Sequence, residues 1–181
     1  MRHLKASMML MGAALLAGVN ATAAATVSDA DLAAKVAHEI RMYPQYGIWD
    51  NVNLEVRDGH VALTGEVNQP YKKADLGRIA ERVEGVAGVS NELKVLPLST
   101  FDDRLRWQVA RAIYGNPVLS RYGLQAIPPI HIIVENGKVT LEGVVSSEMD
   151  KNVAGLSATG AGLSFGPVVN NLRVENPKAR G

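Results

Sequence analysis

A segment of helical periodicity between residues 101 and 114 carries the side chains best suited to bind a ligand. Its apolar residues recur every three or four positions, which predicts one buried helix face. The opposite side carries four residues spaced i, i+3, i+7 and i+10, namely Arg104, Trp107, Arg111 and Tyr114. An indole suits the apolar boundary of a lipid headgroup layer, where neighbouring guanidinium groups meet phosphates. We therefore predict that these four residues contact an anionic phospholipid surface.

A second interpretation of the same residues stays open. The chain has two tryptophans, and one of them can equally anchor two folded units to each other. Trp107 and Tyr114 would then be covered by the first folded unit or by the linker between the units, and Arg104 would pair with an acid such as Glu81 or Glu84. If the lipid contact is correct instead, each arginine adds about 1 kcal/mol near an anionic surface. Association with the membrane is then reversible and sensitive to salt.

Residue types that catalyse reactions or bind metals do not form a recognisable site. His38, His60 and His131 stand alone, without an HExxH motif, and we expect all three to face solvent. The sequence has no G-x-S-x-G motif and no phosphate-binding glycine loop. It contains no cysteine, which excludes disulfides, thiolate catalysis and lipid attachment through an N-terminal cysteine. We predict a non-enzymatic protein with no cofactor and no metal; a hydrolase has the least support.

The charge balance argues against another class of partner. Lys and Arg number 19 and Asp and Glu number 18, so the formal net charge at pH 7 is +1. Proteins that bind nucleic acids normally carry a strongly basic face. We therefore expect no nucleic acid among the partners.

The first 25 residues have the order typical of a secretory signal peptide. Arg2 and Lys5 precede an apolar run from Met8 to Val19, and small residues follow at Ala21–Ala25. The run is shorter than the roughly twenty residues that a membrane span needs, although an uncleaved anchor is the alternative. We therefore predict residues 1–25 to be a cleaved signal peptide and the protein to be periplasmic and peripheral to a membrane.

The rest of the chain repeats one pattern twice. In each half, alternating apolar residues are interrupted by a turn pair, Asp58-Gly59 or Asn136-Gly137, which predicts a β-hairpin. A helix pattern precedes each hairpin and opens with a capping box at Ser28 or Thr100. A second helix and a last strand follow. This order predicts an α+β fold of two tandem α-β-β-α-β units, each a three-stranded sheet with two helices packed on one face.

The repeat also predicts where the units begin and end. We place unit one at residues 28–95, a linker at 96–99, unit two at 100–175 and a loose tail at 176–181. A unit of about seventy residues has a thin core. We therefore expect the two units to support each other by packing.

This pattern resembles the BON domain family, named after bacterial osmotically inducible and nodulation proteins. The likeness rests on the hairpins and the last strands, at Asp58–Gly65, Gly85–Val95, Asn136–Gly143 and Val168–Val174. The second copy departs from the pattern where Ser164-Phe165 replaces Gly85-Val86 and where Pro167 replaces Gly88. The resemblance implies a periplasmic protein that associates with phospholipid membranes and serves envelope maintenance or osmotic and envelope stress, without catalysis.

Two hypotheses about function result. In the first, the protein is exported, non-enzymatic and associated with anionic phospholipid surfaces. In the alternative, it is a periplasmic protein-interaction or chaperone-like stress factor that meets other envelope proteins through an exposed sheet face or an edge strand. The sequence decides neither the lipid nor the oligomeric state.

Overall fold

The computed structural model describes residues 28–162 and 164–175; the predicted signal peptide (1–25) and tail (176–181) lie outside these residues. Unit one comprises α1 (Asp29–Met42), β1 (Asn51–Arg57), β2 (His60–Val67), α2 (Pro70–Glu81), β3 (Gly88–Asn91) and β4 (Lys94–Val95). Unit two comprises α3 (Thr100–Tyr114), α4 (Ser120–Gly123), β5 (Ile130–Glu135), β6 (Lys138–Val145), α5 (Glu148–Gly160), β7 (Val169–Asn170) and β8 (Arg173–Val174). The predicted tandem α+β architecture is confirmed, with two additions.

The first addition is a break in the last strand of each unit. β1 and β2 form an antiparallel hairpin, and β3 and β4 then pair one after the other, in parallel, with β2. An asparagine causes the break: the Asn91 amide donates to the Lys73 carbonyl at 2.7 Å, and its side-chain oxygen accepts from Leu93 N at 3.3 Å. Asn170 makes the same two contacts in unit two, with Lys151 and Leu172. The edge strand is thereby tied to the second helix.

The second addition is α4, a single turn in the longer loop that follows α3. It brings Tyr122 into the core, where the hydroxyl donates to Asp150 Oδ2 at 2.9 Å and accepts from Ser146 N at 2.8 Å. The sequence pattern did not predict this turn, because one helical turn gives no measurable periodicity.

The N-termini of α1 and α3 bind the hairpin turns of their units. Ser28 caps α1 as predicted, but the cap of α3 is Ser99, which accepts from Asp102 N, so the predicted capping box at Thr100 was wrong by one residue. The Asp102 carboxylate accepts from the main-chain N–H groups of Asn136 (2.9 Å) and Gly137 (2.7 Å). Asp29 makes the equivalent pair of bonds to the first hairpin turn. These two aspartates therefore fix each turn to the start of its first helix.

The two units pack against each other through the loop between α1 and β1. Ile132 N donates to the Ile48 carbonyl at 2.7 Å, and Ile48 and Trp49 pack against the core of unit two. Ile133 points away from that core, on the outer face of the second sheet, yet it is only 6% exposed. The expected mutual support of the units is therefore visible in direct contacts.

The same junction corrects the prediction that His131 faces solvent. His131 is half-buried, and its ring packs against the Tyr46 ring of unit one with centroids 5.7 Å apart. Burial lowers the pKa of His131 from the ordinary 6.5, although the main-chain carbonyls of Asp50 and Gly47 and the charges of Asp50 and Glu142 oppose this. His38 and His60 are exposed as predicted.

Acidification is expected to lower the stability of the folded protein because of His131. Below 6.5, the ordinary histidine value, the unfolded chain binds this proton more readily than the folded chain, so the free energy of unfolding falls with falling pH. Urea unfolding between about pH 5 and about pH 8 measures the slope. His131→Phe, which keeps the ring contact, should flatten it, whereas His38→Gln should not. An unchanged slope in His131→Phe would show that this histidine titrates normally.

Candidate functional site

Helix α3 is held rigidly on its inner side. Leu105, Val109 and Ile113 are buried in the core of unit two. Arg106 is also buried: it donates to the Val134 carbonyl at 2.7 Å and pairs with Asp103 at 2.5 Å. Since these contacts fix the rotation of the helix, they also fix which side chains face outward.

The outward side of α3 presents three of the four predicted site residues. Arg104, Trp107 and Arg111 are exposed, and with Gln108 they line a shallow depression. The Arg104 Nε donates to the Thr100 carbonyl at 3.4 Å. Within the described residues neither Arg104 nor Arg111 forms an ion pair, so the alternative pairing of Arg104 with Glu81 or Glu84 is absent there.

Trp107 combines features of both interpretations of the sequence. Its indole meets that of Trp49, from unit one, edge to face with ring centroids 5.2 Å apart. Such aromatic pairs contribute about 0.5–1.5 kcal/mol beyond area burial. Yet 59% of Trp107 stays exposed. The first unit therefore supports one side of the indole and leaves the rest free.

Tyr114 does not lie on the exposed surface with the other three residues. It is half-buried, and its hydroxyl donates to the Ile130 carbonyl at 2.5 Å. Burial raises the pKa of this phenol well above its ordinary value. Its ring lies against Gly123 of α4, the turn that periodicity could not reveal. The structure therefore separates Tyr114 from the predicted group and adds Gln108 and Trp49 to it.

Unit one lacks this combination of side chains. The positions of α1 that match the four site residues are Asp31, Ala34, His38 and Arg41. They include an acid and no aromatic residue. The aromatic and cationic surface is therefore particular to unit two.

Other kinds of site are less developed in the described residues. There, no group of three or more His, Asp or Glu side chains is placed to hold a metal ion. A cleft of about 530 Å³ lies between the units, with Arg41, His131 and Arg173 on its walls. Within residues 28–162 and 164–175, no helix has the length and hydropathy that a bilayer span requires.

Comparison with known proteins identifies the family. Residues 28–97 and 102–176 each match the BON domain model. An uncharacterized protein in the gshII 5'region of Anaplasma centrale is 27% identical over 163 residues, which cover 85% of this chain and 99% of that protein. The outer membrane lipoprotein DolP of Haemophilus influenzae is 28% identical over 147 residues, covering 78% of this chain and 73% of DolP.

A solved structure gives a weaker likeness. The structural protein CdsD of the type III secretion system of Chlamydia trachomatis is 16% identical, with a TM-score of 0.31. The match covers 80% of this chain but only 61% of that one, so this chain spans less than two thirds of its length. The family assignment rests instead on the two domain matches, which coincide with the two structural units. This chain belongs to the BON domain family.

Proposed function

We propose that this chain is an exported, non-enzymatic envelope protein that binds anionic phospholipid surfaces reversibly through the outward side of α3. The observation that carries the proposal is an indole, 59% exposed, between two arginines that have no ion pair in the described part of the chain. Membership of the BON family and the similarity to a lipoprotein of an outer membrane support an envelope location.

The energetics favour weak binding. Burying the 59% of Trp107 that is exposed contributes about 2–4 kcal/mol. Two arginines add about 1 kcal/mol each. A total of about 4–6 kcal/mol corresponds to a Kd between about 1 mM and a few tens of µM. The protein would therefore leave the membrane readily as salt screens the arginines.

Trp107→Ala is expected to lower the affinity for anionic vesicles at least about ten-fold, because it removes most of the apolar contribution. Sedimentation with phosphatidylglycerol–phosphatidylethanolamine vesicles measures this, and neutral phosphatidylcholine vesicles are the comparison. Raising the ionic strength from about 0.01 M to about 1 M shortens the screening length from about 30 Å to about 3 Å and should release the wild type.

The charge contribution has a matched control. Arg104→Ala with Arg111→Ala should lose most binding at low salt, whereas Arg57→Ala with Arg82→Ala removes two exposed arginines of unit one and should not. Equal binding of wild type and Trp107→Ala would place the contact elsewhere. If the wild type does not bind anionic vesicles at all, the membrane function is wrong.

One observation bears on the alternative, a partner protein that adds a strand to the sheet of unit two. β5 is one of the two edges of this sheet, and three of its outward main-chain groups are engaged: the Ile130 carbonyl by Tyr114, Ile132 N by Ile48, and the Val134 carbonyl by Arg106. Strand addition needs such groups to be free. A protein partner would therefore have to use another surface, such as the opposite edge of the sheet at β7 and β8, and crosslinking in the periplasm would reveal it.

A further inference from the structure

The outward face of α5 carries two large apolar side chains and, after the first turn, no exposed charge. Met149 is 66% exposed and Leu156 is 74% exposed. From Met149 to the end of the helix, the other exposed residues are Asn152, Thr159 and Gly160. A leucine at this exposure is ordinary when it stands alone. Here it belongs to a face of a helix that carries no charge between residues 152 and 160.

Comparison of the repeats shows that this face is a departure from the other copy. Gly77 of α2 and Gly155 of α5 occupy equivalent positions, since each lies directly against the asparagine that breaks the last strand. The residues of unit one that match Leu156, Thr159 and Gly160 are then Arg78, Glu81 and Arg82, all exposed. Three exposed charges in unit one thus correspond to uncharged residues in unit two.

This face continues the surface on α3. Asn116, just after α3, donates to Ser157 Oγ in the last turn of α5 at 3.2 Å. Further along, Gly162 lies against Leu105 and Gln108, with the ideal position of a Cβ 2.7 Å from Gln108 Oε1. The two helices therefore run antiparallel on the same side of the sheet. Gln108 belongs to the depression with Trp107 and also meets the end of α5.

We propose that the outward face of α5 is the second half of the lipid-contacting surface. Met149 and Leu156 enter the acyl boundary of an anionic bilayer while Arg104 and Arg111 meet the phosphates. The inference rests on the proposed function of α3. A bilayer fits better than a protein because the uncharged face of α5 adjoins the cationic side of α3, through Gln108 and Asn116, as on an interfacial amphipathic surface. Glu148, in the first turn, marks the edge of this face.

The test uses the absence of cysteine from the chain. Leu156→Cys, labelled with a fluorophore that brightens in apolar surroundings, is mixed with phosphatidylglycerol–phosphatidylethanolamine vesicles. Arg78→Cys, labelled in the same way, is the matched position in unit one. We expect the label at 156 to brighten and to be quenched by nitroxide on the acyl chains, and the label at 78 to change in neither experiment. The affinity of Leu156→Ala should fall about five-fold, and that of Tyr71→Ala should not.

Trp107 quenching separates failure of this inference from failure of the proposed function. Trp49→Phe keeps an aromatic ring beside the Trp107 indole and leaves Trp107 as the sole tryptophan of the chain, so its own fluorescence reports insertion. If Trp107 is quenched by the nitroxide lipids and the label at 156 is not, α5 does not contact lipid and the α3 site stands alone. If neither is quenched, the proposed function fails and this inference fails with it. A label at 156 that responds only when a periplasmic extract is added would overturn the inference in favour of a protein partner.

Discussion

Gly143→Ala is expected to destabilise the protein by at least about 3 kcal/mol, a large part of the total stability of a typical domain. Gly143 has φ of +115°, a conformation that side chains with a Cβ rarely adopt. A Cβ there would also collide with the main-chain carbonyl of Pro129. Gly65 holds the equivalent place in unit one, with φ of +107°. Because backbone cannot move aside as a flexible side chain does, both costs remain.

Urea unfolding followed by tryptophan fluorescence measures the loss, and the melting temperature should fall by about 8 °C or more. The control is Gly160→Ala in the same unit, since no atom lies within 4 Å of the Cβ that it would add. That change should be neutral or slightly stabilising. If the free energy of unfolding of Gly143→Ala is within about 1 kcal/mol of the wild-type value, the strand does not have this backbone conformation.

The hairpins were predictable because their signals are local. Asp58 and Asn136 both adopt φ of +51°, as the turn pairs require. Alternation then sets the register, with Val56 opposite Val61 and Val134 opposite Val139. The helix periods likewise predicted the buried faces of α1 and α3. Signals of this kind lie within a few residues of the structure that they specify.

Features that depend on distant partners were not predictable in the same way. Asp29 and Asp102 suit the positive end of a helix dipole, as acids in a first helical turn do, but each also binds a turn about thirty residues away. Gly155 has a low helix propensity, yet it makes room for Asn170 against α5. His131 is covered by the other unit. No local pattern in the sequence carries information about such long-range contacts.

In the candidate site, too, the features set by local sequence were predictable and those set by distant contacts were not. The exposure of Arg104, Trp107 and Arg111 follows from the helix period, which the sequence contains. The contact of Trp49 with Trp107 depends on how the α1–β1 loop of unit one docks on unit two. The position of Tyr114 depends on α4. A helical wheel shows which side chains share a face of the helix, but it cannot show which of them a loop from elsewhere in the chain buries.

The second large expected effect concerns the α1–β1 loop, which docks unit one on unit two. Asp50→Ala should lower the free energy of unfolding by about 3–5 kcal/mol, because it leaves a buried lysine without its counter-charge. Asp50 is fully buried and pairs with Lys72, which is 5% exposed, at 2.7 Å. The same carboxylate accepts from Gly47 N and Asn68 N, each at 3.1 Å. It therefore closes the loop that carries Ile48 and Trp49 onto unit two.

The functional consequence is that a buried residue outside the proposed contact should affect vesicle binding. With the loop loosened, Trp107 loses the support of Trp49, and the affinity of Asp50→Ala for anionic vesicles should fall under conditions where the variant is still folded. Asp50→Asn combined with Lys72→Met keeps an acceptor for one of the two main-chain N–H groups and removes the buried charges, so it should regain part of both stability and binding. Arg57→Ala breaks the exposed pair with Glu55 instead and should change stability by less than about 1 kcal/mol. If Asp50→Ala proves as mild as Arg57→Ala, or if it unfolds more easily and yet binds vesicles as the wild type does, the loop does not couple the two units in the way the contacts indicate.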